Sequence, residues 1–365
     1  MTTYTWTVEV NSSALDDVQG ITVQMGRRQI TDVFRANTAT ITGRVLASLG
    51  SVDIGDEVTI FADDGVIAFP HPVFYGVVSD VQVTYGMVPN EDTWTIQAED
   101  NLALLGRTVT SPLFALTAGD TTWEAALAVA VDAGWNASQE GTASSSTVSA
   151  QSLGTTNALN ILNQIIATEQ GLLYGDSGPG YVTFQSRNEF PTEPTVVFTD
   201  GTLSAGVGEA TSPFDRVVFR SQADSYFTKV VVQPEGLAEQ SSGTGDRTYT
   251  MQTYDETTAQ AGNLADYVLS QLTVDNDVPQ ELSVFSSMTT YDIADLTTYN
   301  KKPYFQAVSI ILRSVRYECQ VQGYTITASP ESARWTFYLS STNTTVPFIL
   351  DSDTSGVLDS SRLGF

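Results

Sequence analysis

"YGVVSDVQVTYGMVPNEDTWTIQ", Tyr75 to Gln97, decides how the chain is read. Around it Val73, Tyr75, Val77, Val81, Val83 and Tyr85 are apolar, while Asp80, Gln82 and Thr84 are polar. That period of two belongs to a strand with one buried face. After the turn residues "GMVPNED", Trp94, Ile96 and Ala98 alternate with Thr93, Thr95, Gln97 and Glu99, which predicts a long hairpin. A second stretch, "YECQVQGYTITASPESARWTFYL" from Tyr317 to Leu339, has the same form. Val315, Tyr317, Cys319 and Val321 alternate with Arg316, Glu318, Gln320 and Gln322; beyond "SPESA", Trp335, Phe337 and Leu339 alternate with Thr336, Tyr338 and Ser340. Each hairpin opens on Tyr and closes on Trp-Thr-apolar, and the intervals Tyr75 to Trp94 and Tyr317 to Trp335 differ by one. The expectation is two related β-domains paired through Tyr75, Trp94, Tyr317 and Trp335, although alternation alone generates part of the likeness.

Working outward, "ITDVFRANTATITGRV" and "IGDEVTIFADDG" supply further strands broken at Gly and Asp turns, so residues 1–108 read as a β-barrel or sandwich. The character changes after Arg107. "DTTWEAALAVAVDAGW" has a capping box from Thr121 to Glu124 and a stop at Gly134, and "NALNILNQIIATEQG" sets Leu159, Leu162, Ile165 and Ile166 on one stripe. Between them "ASQEGTASSSTVSAQSLG" reads as a surface loop, and "LLYGDSGPGYVTFQSR" as a hairpin. Residues 109–197 are therefore a small α+β insertion. Strands return in "RVVFRS" and "TKVVVQP", followed by one helix with Ala261, Leu264, Ala265, Val268 and Leu272 on its apolar face. The fold class is mainly β: two β-domains, 1–108 and 198–341, around the insertion, with a tail at 342–365.

Of 365 residues, 42 are acidic and 16 basic, a formal net charge of −26. Such a surface repels phosphate backbones, so specific binding of nucleic acid is not expected. Repulsion suits a wall that DNA must pass without sticking; solubility, or a salty environment, explains the same charge. No run of about 18 apolar residues and no basic-apolar leader occurs, so neither a spanning segment nor a secretory signal is expected. The single cysteine, Cys319, excludes a disulfide within the chain and any zinc site built from several cysteines.

The inventory for catalysis is thin. His71, the one histidine, lies between two prolines in "FPHPVFYG" and reads as a turn or loop residue. Acid pairs exist at Asp63 with Asp64, Glu99 with Asp100 and Asp275 with Asp277, but 42 acids make such pairs expected. No nucleophile elbow, Walker loop, dinucleotide fingerprint or His-Glu-x-x-His motif is present, so no catalytic residue, metal ligand or cofactor is assigned.

The tail repeats an eight-residue unit, Ile349 to Gly356 and Val357 to Gly364. Asp351-Ser-Asp-Thr-Ser-Gly356 opens like a calcium loop, but position 12 is Arg362 where a carboxylate is required. A frayed end is one remaining reading. The other, favoured because Phe348, Ile349, Leu350, Val357, Leu358, Leu363 and Phe365 offer apolar side chains at regular spacing, is a strap that docks on a neighbour or on the protein's own rim.

Taken together, "R-x-I-T-D-V-F-R-A-N-T-A-T-I-T-G-R" from Arg28, "G-D-E-V-T-I" from Gly55, "F-Y-G-V-V-S-D-V-x-x-x-Y" from Phe74, "T-I-Q-A-E-D-N-L-A-L-L-G-R" from Thr95 and the Leu-Asp-rich ending resemble the minor tail proteins of long-tailed bacterial and archaeal viruses. Within that group the layout is similar to the tail-tip or baseplate hub, whose N-terminal module recurs in tail-associated lysins. The resemblance implies two tail-tube-like β-barrels per chain, so that a homotrimer presents six and closes on a sixfold tube. It implies a virion location at the tail tip, assembly in the host cytoplasm, and as partners the tube or distal tail ring, tip or fibre proteins and a tape-measure protein. DNA would pass without specific binding. Family members often continue into a lysin or fibre region, whereas this sequence stops at Phe365, which favours a structural, non-enzymatic hub. A hexameric distal tail ring protein and a tail-tip cell-wall hydrolase are the alternatives.

Overall fold

The computed structural model describes residues 4–341 apart from 30, 45–48, 66–69, 88–90, 141–145, 176–179, 192, 204, 207–208, 220–226, 275–277, 289–291 and 298–305. The tail with its candidate docking residues, Phe348 to Phe365, lies outside the described residues.

In the first half β1 (Thr5–Val10) turns through Asn11 and Ser12, both at positive φ, into the short β2 (Ser13–Ala14). Two left-handed residues are what a two-residue hairpin turn of matching twist requires. There follow β3 (Val18–Gly26), β4 (Thr38–Gly43), β5 (Glu57–Asp63), β6 (His71–Thr84) and β7 (Thr93–Glu99). They pair in the order β1-β5-β6-β7-β4-β3, every pairing antiparallel. Val8, Val10, Ile21, Val23, Ala39, Ile41, Val58, Ile60, Ile96 and Ala98 are the buried alternate residues of these strands.

β6 corrects one detail of the sequence reading. Its register slips between Val78 and Asp80, leaving Ser79 as an extra, bulged residue. A bulge exchanges the two faces of a strand. Phe74 and Val78 are buried before it and Val81 and Val83 pack against the core after it; Tyr85 keeps the face of Val81 and Val83 but lies just past the end of β6 and is 76% exposed. Tyr75 is buried on the opposite side, where desolvation and the Glu57 carboxylate push its pKa up to about 12.

The middle of the chain contains α1 (Asn101–Leu105), β8 (Ala115–Leu116), α2 (Thr122–Asp132), β9 (Asn136–Glu140), β10 (Gln151–Ser152), α3 (Ala158–Glu169), β11 (Leu172–Gly175) and β12 (Tyr181–Gln185). The Thr121–Glu124 capping box starts α2 as its sequence predicts. The Ser/Thr-rich stretch after it is less of a loop than its composition implies: Asn136–Glu140 pairs in parallel with β12, and Val148 is fully buried. Its polar side chains sit on a sheet edge, where composition and loop look alike.

The second half opens with β13 (Val196–Thr199), β14 (Thr211–Ser212) and β15 (Arg216–Val218). Next, β16 (Lys229–Pro234), β17 (Gln240–Gly243) and β18 (Thr248–Thr253) form a separate three-stranded sheet under α4 (Thr258–Val274), with its own core of Val230, Val232, Ala261, Leu264, Ala265, Val268 and Leu272. The chain then completes β19 (Glu281–Phe285), the four-residue α5 (Ile293–Leu296), β20 (Ala307–Leu312), β21 (Val315–Ser329) and β22 (Ser332–Ser341). Arg313 and Ser314, again both at positive φ, turn β20 into β21.

Strand order in this half is β13-β20-β21-β22-β19-β15. Numbering the six strands of each half by sequence, both sheets read first, fourth, fifth, sixth, third, second. The one difference is the first strand, antiparallel to its neighbour in the first half and parallel in the second. Register repeats as well. β21 slips between Val321 and Gly323, which makes Gln322 its bulge, and Ile326, four positions on, faces Trp335. In β6 the residue four positions beyond Ser79 is Val83, which faces Trp94. This alignment makes Phe74, not Tyr75, the counterpart of Tyr317, since 326 − 83 and 317 − 74 are both 243.

The two tryptophans use their equivalent places differently. Trp94 faces Gly43, whose missing side chain makes room for the indole: a Cβ there would fall 2.0 Å from Trp94 Cζ2. Trp335 faces Val284 and packs elsewhere, as described below. Gly43→Ala is expected to lower stability by about 1–3 kcal/mol, the usual effect of overpacking. Urea unfolding followed by tryptophan fluorescence measures it, and an unshifted midpoint would contradict the packing.

Candidate functional site

The place where the two halves meet is the feature with the most elaborate construction. β21 has fifteen residues. Its Val315–Gln320 segment pairs with β20, and then its Gly323–Ala328 segment pairs with β3 of the first half: Tyr324 against Met25, Ile326 against Val23, Ala328 against Ile21. Both sheets are thereby joined into one of fourteen strands. Partners are exchanged at the bulge. Gln322 is fully buried; its carbonyl accepts from Arg27 N at 3.1 Å, its Oε1 from Arg27 Nε at 2.9 Å, and its Nε2 donates to Ser340 Oγ at 2.7 Å. Beside it Gly323 must be glycine, because a Cβ would lie 2.5 Å from Met25 O and 2.6 Å from Arg27 O.

Side chains close the seam from the core face. Trp335 lies 5.1 Å, centroid to centroid, from Tyr4 and 5.9 Å from Trp6, both from the first half. Its Nε1 donates to Thr297 Oγ1, and Tyr324 OH donates to Thr297 O at 3.0 Å. Each tilted aromatic pair contributes about 0.5–1.5 kcal/mol beyond the area it buries. Asp292, just before α5, accepts from Ala294 N, from Tyr4 OH at 2.8 Å, and stands 2.7 Å from His71 Nε2. Desolvation, then the Asp292 charge, pushes the Tyr4 hydroxyl pKa well up. The lone histidine is therefore not in a turn: it is a buried residue at the head of β6, holding a carboxylate of the other half. The flanking prolines misdirect the sequence reading because a strand's first residues tolerate them.

A second network joins two of the sequence stretches quoted above. Asp100, fully buried, caps α1 by accepting from Leu102 N at 3.0 Å and takes a 2.5 Å hydrogen bond from Asn37 Nδ2. Asn37 Oδ1 in turn accepts from Gly26 N, the last residue of β3. "RANTATITGR" and "AEDNLALLGR" thus meet through one amide and one carboxyl. Burial outweighs those hydrogen bonds and lifts Asp100 to about 7; burial likewise lifts Asp255 to about 6.

Of the residues marked in the sequence, Trp335 lies in the seam, and Tyr317, Trp94 and Tyr75 lie within the sheets, away from one another's chemistry. Cys319 is buried in β21. Asp64 sits at a turn, Glu99 pairs with Arg107 at 2.6 Å, and Asp275 and Asp277 lie outside the described residues. Among the described residues no cluster of three His, Cys, Asp or Glu is placed to hold a metal ion, and no helix is long and apolar enough to cross a membrane. Sequence reasoning gave no role to Asp292 and Thr297, which stand in no recognisable motif, nor to Asn37, whose stretch was quoted without singling out its amide.

Gly323→Ala is expected to cost 2 kcal/mol or more, roughly the larger overpacking values, because backbone rather than a flexible side chain blocks the space. Hydrogen exchange should speed up along β3 and β21, and unchanged protection there would contradict the account. The acid pKa values set the sign of a pH effect. Folded Asp100 keeps its proton between about 4 and about 7 while the unfolded chain has lost it, so stability falls as pH rises through that window, by at most about 1.4 kcal/mol per pH unit. Asp100→Asn should flatten that slope between about pH 4 and 7 in urea titrations, whatever it does to absolute stability; an unaltered slope would show that Asp100 is ionised throughout.

No family model and no curated protein matches the chain. Solved structures do. A tail protein from Neisseria meningitidis superposes with a TM-score of 0.63 at 12% identity, over 93% of this chain and 97% of that one. The 43 kDa tail protein of a Shewanella oneidensis prophage gives 0.59 at 13% identity, over 92% and 96%. A Listeria monocytogenes prophage tail protein gives 0.53 at 12%, over 91% and 94%. At such identities the likeness is one of fold, and the conclusion is that this mainly β chain, with its α+β insertion, has the fold of phage tail proteins.

Proposed function

We propose that the chain is a structural virion protein, a hub at the distal end of a long viral tail, in which three copies set six related sheets around the tail axis. One observation carries the reading: each copy contains the same six-strand arrangement twice, in register, joined by a backbone ladder. A protein that must match a sixfold tube to threefold tip components gains from a two-in-one chain, because three copies then offer six near-equivalent surfaces. The division into a first tube-like domain at 1–108, an insertion at 109–197, a second tube-like domain at 198–341 and a docking strap at 342–365 belongs to this proposal. So do the tube or distal tail ring and the tip or fibre proteins as partners, and the tail-tip location.

Charge supports a passive channel. At −26 the surface has little to hold a phosphate backbone, so DNA passing beside it meets few counterion-releasing contacts. The role is one of assembly rather than catalysis. Native mass spectrometry of the purified protein across a range of concentrations is the test: trimers are expected. A stable hexamer would replace the hub with a distal ring, and clearing of host cell wall in a zymogram would replace it with a hydrolase.

A further inference from the structure

The internal joint uses one edge from each half, the outer edge of β3 and the distal outer edge of β21. Each half has both kinds of edge, so one copy has two left over. The counterpart of β3 is β15, for Val217 faces Leu282, which faces Phe337, as Ile21 faces Ile41, which faces Ile96. The counterpart of the distal part of β21 is the distal part of β6. Among the described residues no strand pairs with the outer edge of either one: β15 pairs with β19 alone, and β6 pairs with β5 only as far as Val77.

We infer that these two edges pair with each other between copies, β15 of one molecule adding antiparallel to β6 of the next and repeating the β3–β21 joint. The repeat fixes the register. Ile21 faces Ala328, Thr22 faces Thr327 and Val23 faces Ile326. Adding 196 to the first member (217 − 21) and subtracting 243 from the second (326 − 83) places Val217 against Tyr85, Val218 against Thr84 and Phe219 against Val83.

The surface fits that occupant. Tyr85 and Phe219, 76% and 43% exposed, are large apolar side chains on just these edges, on the face where the internal joint buries Ala328, Ile326 and Val23. Beyond the bulge at Ser79, Asp80 and the shortness of β15, neither segment has the lysine or proline that would prevent pairing along Val81–Tyr85 and Val217–Phe219. Charge is complementary: exposed Arg216 is the first residue of β15, and Glu91 and Asp92 lie just before β7 at the tip of the β6–β7 hairpin, in a chain whose copies otherwise repel each other. Asp80 stands where the internal joint needs Gly323, so the ladder between copies is shorter than the one within a copy. A head-to-tail contact of this kind closes into a ring when its rotation allows. Closure at three rests on the hub reading; the edge pairing does not.

Cysteine cross-linking of the full chain tests it, since Cys319 is buried and silent. T22C/T327C should close a disulfide within one copy, verifying the geometry on the joint already described. T84C/V218C should form disulfides between copies, and a mixture of the two single variants should give covalent dimers only. V218C/T93C, with the cysteines two strand spacings apart at about 10 Å, should form at least tenfold less, being beyond disulfide reach. Trimers by mass without the T84C/V218C link would overturn the edge pairing and leave the hub standing. Links that build an open series, or a ring of another number, would support the pairing and remove the threefold hub. A chain that stays monomeric and unlinked at every concentration would remove both.

Discussion

One strand is asked to belong to two sheets. β21 gives its first six residues to β20 and, beyond a bulge, its last residues to β3, and the exchange works because three hydrogen bonds hold the buried Gln322 and Gly323 has no side chain. Everything between the halves follows from that exchange. The aromatic residues around Trp335 fill the angle behind the shared strand, Asp292 ties Tyr4 and His71 across it, and a single hydrophobic core runs from Tyr4 to Leu339. Separate cores would let the halves move independently; a shared ladder makes them one cooperative body.

The repetition between the halves lies in geometry more than in residues. Strand order, bulge position and the partner of each tryptophan recur, while Gly43 is answered by Val284, Phe74 by Tyr317 and Gly323 by Asp80. Such exchanges keep an apolar side chain on the inner face or adjust one contact, which is all that register demands. Divergence at those points also gives the halves their separate tasks. Trp94 is fixed within its own sheet over Gly43, whereas Trp335 turns toward the other half.

Much of this was legible in the sequence because period-two alternation and helix caps are local signals. The hairpins, the Thr121 capping box and the buried stripe of α4 could be placed from residues alone. Bulges could not: an extra residue leaves the composition alternating while it moves the buried face, here from Phe74 and Val78 to Val81 and Val83. Long-range polar ties were equally silent. His71 and Asp292 are 221 positions apart, Asn37 and Asp100 63, and nothing local distinguishes such residues from the many acids and amides around them. The parallel edge strand at Asn136–Glu140 was hidden by a composition that also suits a loop.

On the proposed hub reading, a two-in-one chain lets one component present sixfold surfaces on one side and threefold surfaces on the other. The central claim is that the two halves of each molecule take equivalent places around a common axis. A symmetry-resolved electron cryomicroscopy reconstruction of the assembled particle decides it. The account predicts three copies on the tail axis, with first and second halves alternating around it; six copies in equivalent positions, or a single copy away from the axis, would contradict it.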